Sequence, residues 1–514
     1  MSQAWAGWRS RALDLGLLVA VAAGGVLGNA NWSAQPRFDG AGYAILARAI
    51  ATGQGYRALD HPDHPRHAHF PPGYPLALAL VWKSLGESTV LAHALSAACA
   101  VLACAGAWLW FRRLYTPPTA LMIGLALGLN WLWDRTGSAI QSEPLFLLLS
   151  QAAVIAHVSG RRHGSRIAST VLTGMSLGLA LMTRWAALAL VAAVVIDLTW
   201  QGQAKRSLGV VLITGVIALP WLAWTLFVVN SGGETAAGLL NLEAGGVIAR
   251  IGEQGLFYLE RVPDAILGPY VEVATARGGL VRVVAVAFAV GVLAIVGVGL
   301  IALGRRRRAG RIALLISIAT VGLLLFWPYT EAGRFLIPLV PCLLIGVVEG
   351  LAAVLRGVGW VRRPARSRHL AAWLILAACV PYSGYQLARG KARRGSGDER
   401  EFSLACRWIL QNARRPGPVL ARHPGDVYWR TGREALEVES SERPGFEDAS
   451  PRAIAGLIRR YRAAYVVVDR GLYTNEPAGP LARFVRERPR VVRRVWPEGD
   501  SADRVVIYEI LEPD

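Results

Sequence analysis

Long apolar runs separated by polar connections make up the chain as far as residue 386. A helix needs about 20 mostly apolar residues to cross a bilayer, with a range of roughly 17 to 25. The run from 167 to 200 is divided only by Thr183, Arg184 and Trp185. The pattern therefore predicts about eleven spanning helices, near residues 12–30, 88–110, 117–133, 139–158, 167–183, 185–200, 207–229, 280–303, 312–327, 335–355 and 369–386.

Beyond Tyr385 the long apolar runs give way to short alternating elements. A basic linker containing Gly and Ser covers residues 389–400. The pattern after it predicts helices over 401–412, 451–461 and 480–487, and strands over 419–422, 464–469 and 505–511. We therefore predict two domains: a transmembrane domain over 1–388, with an outer loop and juxtamembrane helices at 31–75, and a small α/β domain over 396–514.

Composition supports this division. The 514 residues are 54% hydrophobic and 18% charged, which is too apolar for one soluble domain. We therefore expect a mainly α, polytopic helix bundle in the plasma (inner) membrane, with a small soluble α/β domain at its C-terminal end. Residues 15–30 follow basic residues but end in no small-residue cleavage site, so we expect them to stay as the first membrane helix.

The formal net charge of +20 raises the question of a nucleic-acid partner. The arginines, however, cluster between the apolar runs, as in membrane proteins that retain their basic loops in the cytoplasm. With eleven spans, six basic connections fall on one side, at 8–11, 112–113, 161–166, 205–206, 305–311 and 356–368. We therefore expect a cytoplasmic N-terminus, an extracytoplasmic C-terminal domain and no nucleic-acid partner.

The polar residues of the opposite side contain the candidate chemistry. Asp39 follows the first span, where a carboxylate could accept a proton from a nucleophile, although Asp is also a preferred helix N-cap. Glu143 begins a span, where the helix dipole alone favours an acid. Arg184 and Arg334 lie at span ends, where each could anchor the helix or hold a phosphate.

Potential metal ligands give a weaker signal. Four cysteines fall in apolar spans and only Cys406 lies in polar sequence, so no disulfide framework or cysteine metal site is predicted. The acidic and histidine residues of the first outer loop fit no compact zinc pattern, and Pro62 and Pro65 interrupt them. We expect a solvated turn with one histidine near a phosphate and predict no metal ligands, while the need for a divalent cofactor stays open; the turn contains Asp60, His61, Asp63, His64, His67 and His69.

Four short motifs occur in a recognisable order. They are the Asp39 after the first span, Pro-Pro-Gly-Tyr-Pro at 71–75, Ser-Glu-Pro-Leu-Phe at 142–146 and Arg-Phe-Leu-Ile-Pro-Leu-Val-Pro at 334–341. This series resembles the polytopic GT-C glycosyltransferases, most closely the protein O-mannosyltransferase and aminoarabinose-transferase type of family 39. The resemblance covers roughly residues 10–350 and depends on the series, not on any single motif.

The resemblance implies transfer of a sugar from a polyprenyl-phosphate donor to a glycan, lipid or protein acceptor on the outer face of the membrane. It implies that Asp39 is the general base and that basic residues, Arg334 first and Arg184 second, contact the donor phosphate. We expect the remaining substrate contacts to come from Glu143, His69, Tyr74 and Glu331.

Two other classes of function fit a polytopic chain. A transporter or lipid flippase for a polar lipid-linked substrate would need ionisable residues in the middle of its spans, where few occur, and no internal repeat is visible. A receptor or scaffold would need far fewer spans than about eleven. The sugar, the acceptor, the length of the lipid carrier and the oligomeric state are not encoded in any of these patterns.

Overall fold

The computed structural model describes residues 2–160, 166–228, 244–327, 332–392, 397–438, 450–469, 479–497 and 504–511. The first ten helices are α1 Ser2–Asn29, α2 Asp39–Ala51, α3 Gly73–Leu85, α4 Thr89–Leu114, α5 Pro117–Gly128, α6 Trp131–Gly137, α7 Glu143–Ser159, α8 Arg166–Leu181, α9 Ala187–Trp200 and α10 Ala204–Ala223. The next six are α11 Ala244–Leu267, α12 Tyr270–Thr275, α13 Gly279–Arg306, α14 Arg308–Phe326, α15 Val340–Gly357 and α16 Pro364–Ala392. A short 3-10 segment, Ala332–Leu339, leads into α15.

Among the described residues, seven helices are long and apolar enough to cross a bilayer, so the chain is an integral membrane protein. They are Arg11–Asn29, Thr89–Leu114, Ala204–Val228, Gly279–Arg306, Arg308–Phe326, Gly333–Gly357 and Pro364–Arg389. Four shorter apolar helices, α5, α7, α8 and α9, occupy the places of the other four predicted spans. Each predicted span thus corresponds to an apolar helix, but three of these helices, α5, α8 and α9, are shorter than the length rule requires.

The predicted span at 117–133 shows why. Its helix α5 ends at Gly128, and the Asn130 side chain then accepts a hydrogen bond from the Trp133 backbone N–H at 3.1 Å. This cap starts the separate short helix α6. The apolar pattern continues through the break because Leu132 and Trp133 are buried. The sequence therefore predicted one helix where the chain forms two.

Glycines set the closest helix contacts of the bundle. A Cβ atom added to Gly299 of α13 would lie 2.0 Å from the Gly346 carbonyl oxygen of α15, and one added to Gly350 would lie 2.1 Å from the Ile295 carbonyl oxygen. Gly346 and Gly350 form a Gly-xxx-Gly pair, a spacing that lets helix backbones approach each other in membranes. This contact fixes α15, and with it the 3-10 segment before it, against α13.

Residues 230–279, which separate two predicted spans, contain two helices that the sequence pattern did not predict. Residues 244–267 form α11 and residues 270–275 form α12. Pro263 and the charged residues of α11 obscured the helical pattern. Asp264 connects the two helices, because its carboxylate accepts hydrogen bonds from the backbone N–H groups of Val271 and Glu272, each at 2.8 Å.

The C-terminal region forms a five-stranded sheet with helices on both faces. Its elements are α17 Gly397–Asn412, β1 Val419–Ala421, α18 Pro424–Thr431, β2 Ala435–Glu437, α19 Pro451–Tyr461, β3 Tyr465–Asp469, α20 Pro480–Glu487, β4 Val492–Trp496 and β5 Val505–Ile510. The strand order is β2-β1-β3-β5-β4, with β2, β1 and β3 parallel and β5 antiparallel to both β3 and β4. All six predicted elements are present; α18, β2 and β4 were not predicted.

Alternation along β3 builds both apolar layers. Tyr465 and Val467 pack with α17 and α18, while Val466 and Val468 pack with α19 and α20. Successive side chains of a strand point to opposite faces, so one short strand contributes to two cores. Ser450 starts α19 by accepting a hydrogen bond from the Ala453 N–H at 3.2 Å.

Candidate active site

A tight turn places Asp39 at the start of α2. The Gly40 N–H donates to the Arg37 carbonyl oxygen at 2.9 Å, and Phe38 between them has φ 52° and ψ −129°. These angles belong to the second residue of a type II′ turn, a position that glycine normally occupies. The N-cap residue of α2 is therefore Phe38 and not Asp39, and it makes no side-chain capping bond. The alternative interpretation of Asp39 as an N-cap is thus excluded.

The Asp39 side chain contacts Arg334 instead. Arg334 Nη2 donates to Asp39 Oδ2 at 2.7 Å, although 295 positions separate the two residues in sequence. Arg334 Nε also donates to Glu143 Oε1. One guanidinium, presented by the 3-10 segment before α15, therefore joins the first residue of α2 to the first residue of α7.

Arg184, in the turn between α8 and α9, completes the cluster. Its Nη1 lies 2.9 Å from Glu143 Oε1 and donates to Ser142 Oγ at 3.0 Å. Ser142 Oγ is also 2.8 Å from the hydroxyl of Tyr43, one helical turn after Asp39. Burial, and then the nearby Asp39 carboxylate, raise the pKa of Tyr43, so this hydroxyl keeps its proton. Four connections that are far apart in the sequence thus meet at one polar cluster.

Burial distinguishes the two carboxylates. The Glu143 side chain is 3% exposed and contacts both guanidinium groups, whereas the Asp39 side chain is 33% exposed. Two adjacent cations keep a buried carboxylate ionised and fixed in place. Glu143 is therefore suited to holding the arginines, and Asp39 is the carboxylate that an incoming hydroxyl group can reach.

The two arginines also differ. Arg334 lies between the two carboxylates. Arg184 uses only Nη1 for the hydrogen bonds and ion pairs that it makes with the described part of the chain. A guanidinium has five N–H donors, so the other nitrogens of Arg184 can donate hydrogen bonds to phosphate oxygens while Nη1 keeps its contacts.

The histidine turn lies behind α2. Phe70 packs against Tyr43 with ring centres 4.6 Å apart and stacks on His67 at 5.3 Å. Burial lowers the pKa of His67 to about 3, with a smaller contribution from His69. His67 is therefore neutral, and its Nε2 accepts a hydrogen bond from the Phe70 N–H at 3.0 Å. This turn therefore packs against Tyr43, which lies one helical turn after Asp39 on α2.

The other three expected substrate contacts have different positions. His69 lies against Phe70 with ring centres 4.8 Å apart. Tyr74 is fully buried, with its hydroxyl 2.9 Å from Ser96 Oγ and its ring 5.3 Å from that of Tyr43. Its side chain thus lies in the core behind the cluster. Glu331 falls outside the described residues.

A divalent metal does not fit this donor set. The Arg334 guanidinium contacts both Asp39 and Glu143, and so occupies the place that a bridging cation would need. In the described part of the chain, no group of three or more His, Cys, Asp or Glu side chains is arranged to hold a metal ion.

Sequence reasoning missed three members of this site. Tyr43 and Ser142 could have been found, because Tyr43 is four residues after Asp39 on one helix face and Ser142 precedes Glu143. Asp426 of α18 could not: its Oδ1 accepts a hydrogen bond from the Phe38 N–H at 2.7 Å, across 388 positions. No local pattern in the sequence indicates that contact.

Comparison with solved structures identifies the fold. The structure matches ArnT from Cupriavidus metallidurans in the apo state with a TM-score of 0.59, at 14% identity over 99% of this chain and 98% of that one. The same enzyme bound to undecaprenyl phosphate matches with a TM-score of 0.58, at 12% identity and the same coverage. The chain has the GT-C fold.

A second neighbour with the GT-C fold is longer. The oligosaccharyltransferase AglB from Archaeoglobus fulgidus, in complex with an inhibitory peptide and a dolichol-phosphate, matches with a TM-score of 0.58 at 12% identity. The match covers 90% of this chain and 70% of AglB. No protein-family model and no curated protein matches the sequence. The resemblance expected from the order of four motifs is therefore confirmed at the level of the GT-C fold.

Proposed function

We propose that this protein is a membrane glycosyltransferase that transfers a sugar from a polyprenyl-phosphate donor to an acceptor at the extracytoplasmic face of the plasma (inner) membrane. The observation that carries the proposal is the cluster of Asp39, Arg334, Glu143 and Arg184, gathered from four outer connections of a GT-C fold. Solved neighbours with this fold are bound to undecaprenyl phosphate and to a dolichol-phosphate. The fold favours group transfer over the transporter and scaffold alternatives.

The distribution of charge supports the proposed orientation. At the other end of the bundle, Asp197 of α9 bonds Arg311 Nε at 2.5 Å and His157 Nε2 of α7 at 2.8 Å. Helix α7 begins at Glu143 and reaches His157 near its end, so the two charged clusters lie at opposite ends. The arginine-rich connections accompany the Asp197 end, which we therefore assign to the cytoplasm.

The mechanism that we propose is a displacement at the anomeric carbon of the donor sugar. The acceptor hydroxyl oxygen forms a bond to this carbon, and the bond from the carbon to the phosphate oxygen breaks. Asp39 takes the hydroxyl proton, and the lipid phosphate leaves with the bonding electron pair. General-base assistance contributes about 10²- to 10⁴-fold in rate.

The two arginines have separate roles in this proposal. Arg334 orients Asp39, because its guanidinium lies 2.7 Å from the carboxylate. Arg184 is suited to the departing phosphate, because its donors beyond Nη1 can stabilise the negative charge that develops there. Glu143 fixes both guanidinium groups and touches neither reacting atom.

Lipid-phosphate release tests the proposal directly. Purified protein in detergent is incubated with a panel of polyprenyl-phosphate sugars and candidate acceptors, and released polyprenyl phosphate is measured by mass spectrometry. We expect release with at least one donor, increased by the acceptor. Absence of release across donors of several sugars and chain lengths, from protein shown to be folded, would contradict the proposal.

A further inference from the structure

The turn before Asp39 is strained and is fixed from outside the bundle. Phe38 has φ 52°, and a non-glycine residue adopts such a conformation only when its surroundings enforce it. The Phe38 ring is 44% exposed and meets the His423 ring edge-on, with ring centres 4.8 Å apart. The turn itself is held by a further interaction that acts on the Phe38 backbone and on Arg37.

Asp426 supplies that interaction. Its Oδ1 accepts a hydrogen bond from the Phe38 N–H at 2.7 Å, and its Oδ2 lies 3.3 Å from Arg37 Nε. The Asp426 side chain is 1% exposed, so water does not compete for these contacts. Burial raises the pKa of Asp426 to about 6, which leaves it ionised at neutral pH and able to accept both bonds.

The surrounding contacts hold α18 firmly on α2. A Cβ atom added to Gly425 would lie 3.3 Å from Ile45 and 3.4 Å from Ala41, so the α18 backbone lies directly against α2. Trp429 stacks on Trp82, with ring centres 5.9 Å apart, and donates to the Gln35 side chain at 3.0 Å. Asp426 is thus presented by a helix that packs on the helix it orients.

We propose that Asp426 is a positioning residue for Asp39: by holding the Arg37–Phe38 turn, it places the carboxylate at the start of α2 where it can meet both Arg334 and the acceptor. This inference rests on the proposed function. The C-terminal domain thus affects the rate of the chemical step by orienting Asp39, and it contributes no catalytic residue of its own. Binding of the lipid donor, in contrast, depends on arginines that the bundle presents.

The decisive variants differ by one acceptor atom. Asp426→Ala removes the acceptor for the Phe38 N–H, while Asp426→Asn keeps one carbonyl oxygen in its place. Tyr461→Phe is the matched control, because Tyr461 donates to Asp63 at 2.6 Å in an exposed part of the same interface. Each full-length protein is checked for monodispersity and thermal unfolding before kcat, KM and donor binding are measured.

We expect Asp426→Ala to lower kcat by about 10- to 100-fold, the range that loss of a hydrogen bond to a charged group corresponds to. Donor affinity should change less than about twofold, because Arg184 and Arg334 are untouched. Asp426→Asn should lose clearly less activity than Asp426→Ala, and Tyr461→Phe should match the wild type. Equal kcat in wild type and folded Asp426→Ala would overturn the inference, as would a loss confined to donor binding.

A second variant separates positioning from general damage. Glycine adopts φ 52° without strain, so Phe38→Gly in the Asp426→Ala background should recover several-fold of the lost kcat. Failure to recover any activity would count against positioning. If Asp426→Ala does not fold, Asp426→Asn decides: an unchanged kcat overturns the inference, and a lowered kcat with intact donor binding supports it.

Asp39→Asn is measured in parallel to separate the two proposals. Absence of turnover in the wild type would overturn the proposed function itself, and retained turnover in Asp39→Asn would overturn the assignment of Asp39 as the general base. Lost turnover in Asp39→Asn with full turnover in Asp426→Ala would overturn only the positioning role.

Discussion

Asp39 Oδ2 and Arg334 Nη2 lie 2.7 Å apart, although 295 positions separate the residues in the chain. The sequence analysis placed both residues on the same side of the membrane, and the structure shows that their side chains are in direct contact. A carboxylate paired in this way is held in one orientation before the substrate arrives. This contact fits the proposal that Asp39 acts on the acceptor and that Arg184 contacts the phosphate.

This division of roles predicts different consequences for the two arginines. Arg184→Ala should weaken donor binding by about tenfold or more, because a desolvated phosphate loses charge-assisted hydrogen bonds. Arg334→Ala should weaken donor binding as well, but it should also lower kcat and thermal stability, because it leaves two carboxylates without their shared cation. Donor titration followed by unfolding measurements on both variants would check this. Equal stability of the two variants would contradict the bridging role of Arg334.

Titration of His67 should couple stability to pH. Its folded-state pKa is about 3, below the ordinary value, because the ring is buried. The unfolded chain binds the proton more readily, so the contribution of His67 is present above about pH 6.5 and is lost as the pH falls toward 3. One such proton changes the free energy of unfolding by at most about 1.4 kcal/mol per pH unit. Thermal unfolding of wild type and His67→Gln between pH 7 and pH 4 should show a difference that shrinks on acidification.

The contact between α13 and α15 predicts a sharp contrast between neighbouring glycines. Gly299→Ala should lower the melting temperature by several degrees, because the added methyl group would meet the Gly346 carbonyl at 2.0 Å. Gly297→Ala, two residues earlier on the same helix, meets nothing within 4 Å and should be neutral or slightly stabilising. Similar melting temperatures for both variants would mean that the helices are less closely packed than the structure describes.

Membrane topology alone allowed the sequence to place four candidate residues on the same side of the membrane. These residues are Asp39, Glu143, Arg184 and Arg334. Each follows an odd-numbered predicted span or begins an even-numbered one. Because successive spans cross the membrane in opposite directions, all four are placed on the same side. The direct contacts between their side chains are visible only in the structure, where the 3-10 segment before α15 presents the Arg334 side chain. Contacts of the outer loop with α18 have no periodic signal at all.

The C-terminal sheet shows the same limit at the level of elements. Strand β3 was predicted because three consecutive valines form a buried run. Strand β2 has only three residues, and α18 begins with Pro424 and Gly425, which are typical of a turn. Both elements are stabilised by packing with neighbours distant in sequence, which local propensity cannot show.

The proposed topology predicts on which side of the membrane the C-terminus and the basic connection at 305–311 lie. A reporter fused after Asp514 should be active only outside the cytoplasm, and one inserted within Arg305–Arg311 only inside it, because the basic connections remain in the cytoplasm. Paired reporters that are each active in only one compartment make the two fusions controls for each other. A cytoplasmic signal from the C-terminal fusion would contradict both the eleven-span topology and the placement of the candidate site on the extracytoplasmic side.

The C-terminal domain is expected to serve turnover more than donor binding. Deleting residues 396–514 should leave donor-lipid affinity largely intact, because Arg184 and Arg334 belong to the bundle, while kcat should fall with the loss of Asp426. Donor binding to the truncated protein, after a check that it is monodisperse, would measure this. A complete loss of donor binding in well-folded protein would contradict the division between the two domains.

The most direct test of the account is turnover by Asp39→Asn. The variant keeps the size and one acceptor oxygen of the side chain but cannot act as a base near neutral pH. We predict a loss of about 10²- to 10⁴-fold in released polyprenyl phosphate, with folding and donor binding close to wild type. Turnover within a few-fold of wild type in this variant would contradict the assignment of Asp39 as the general base.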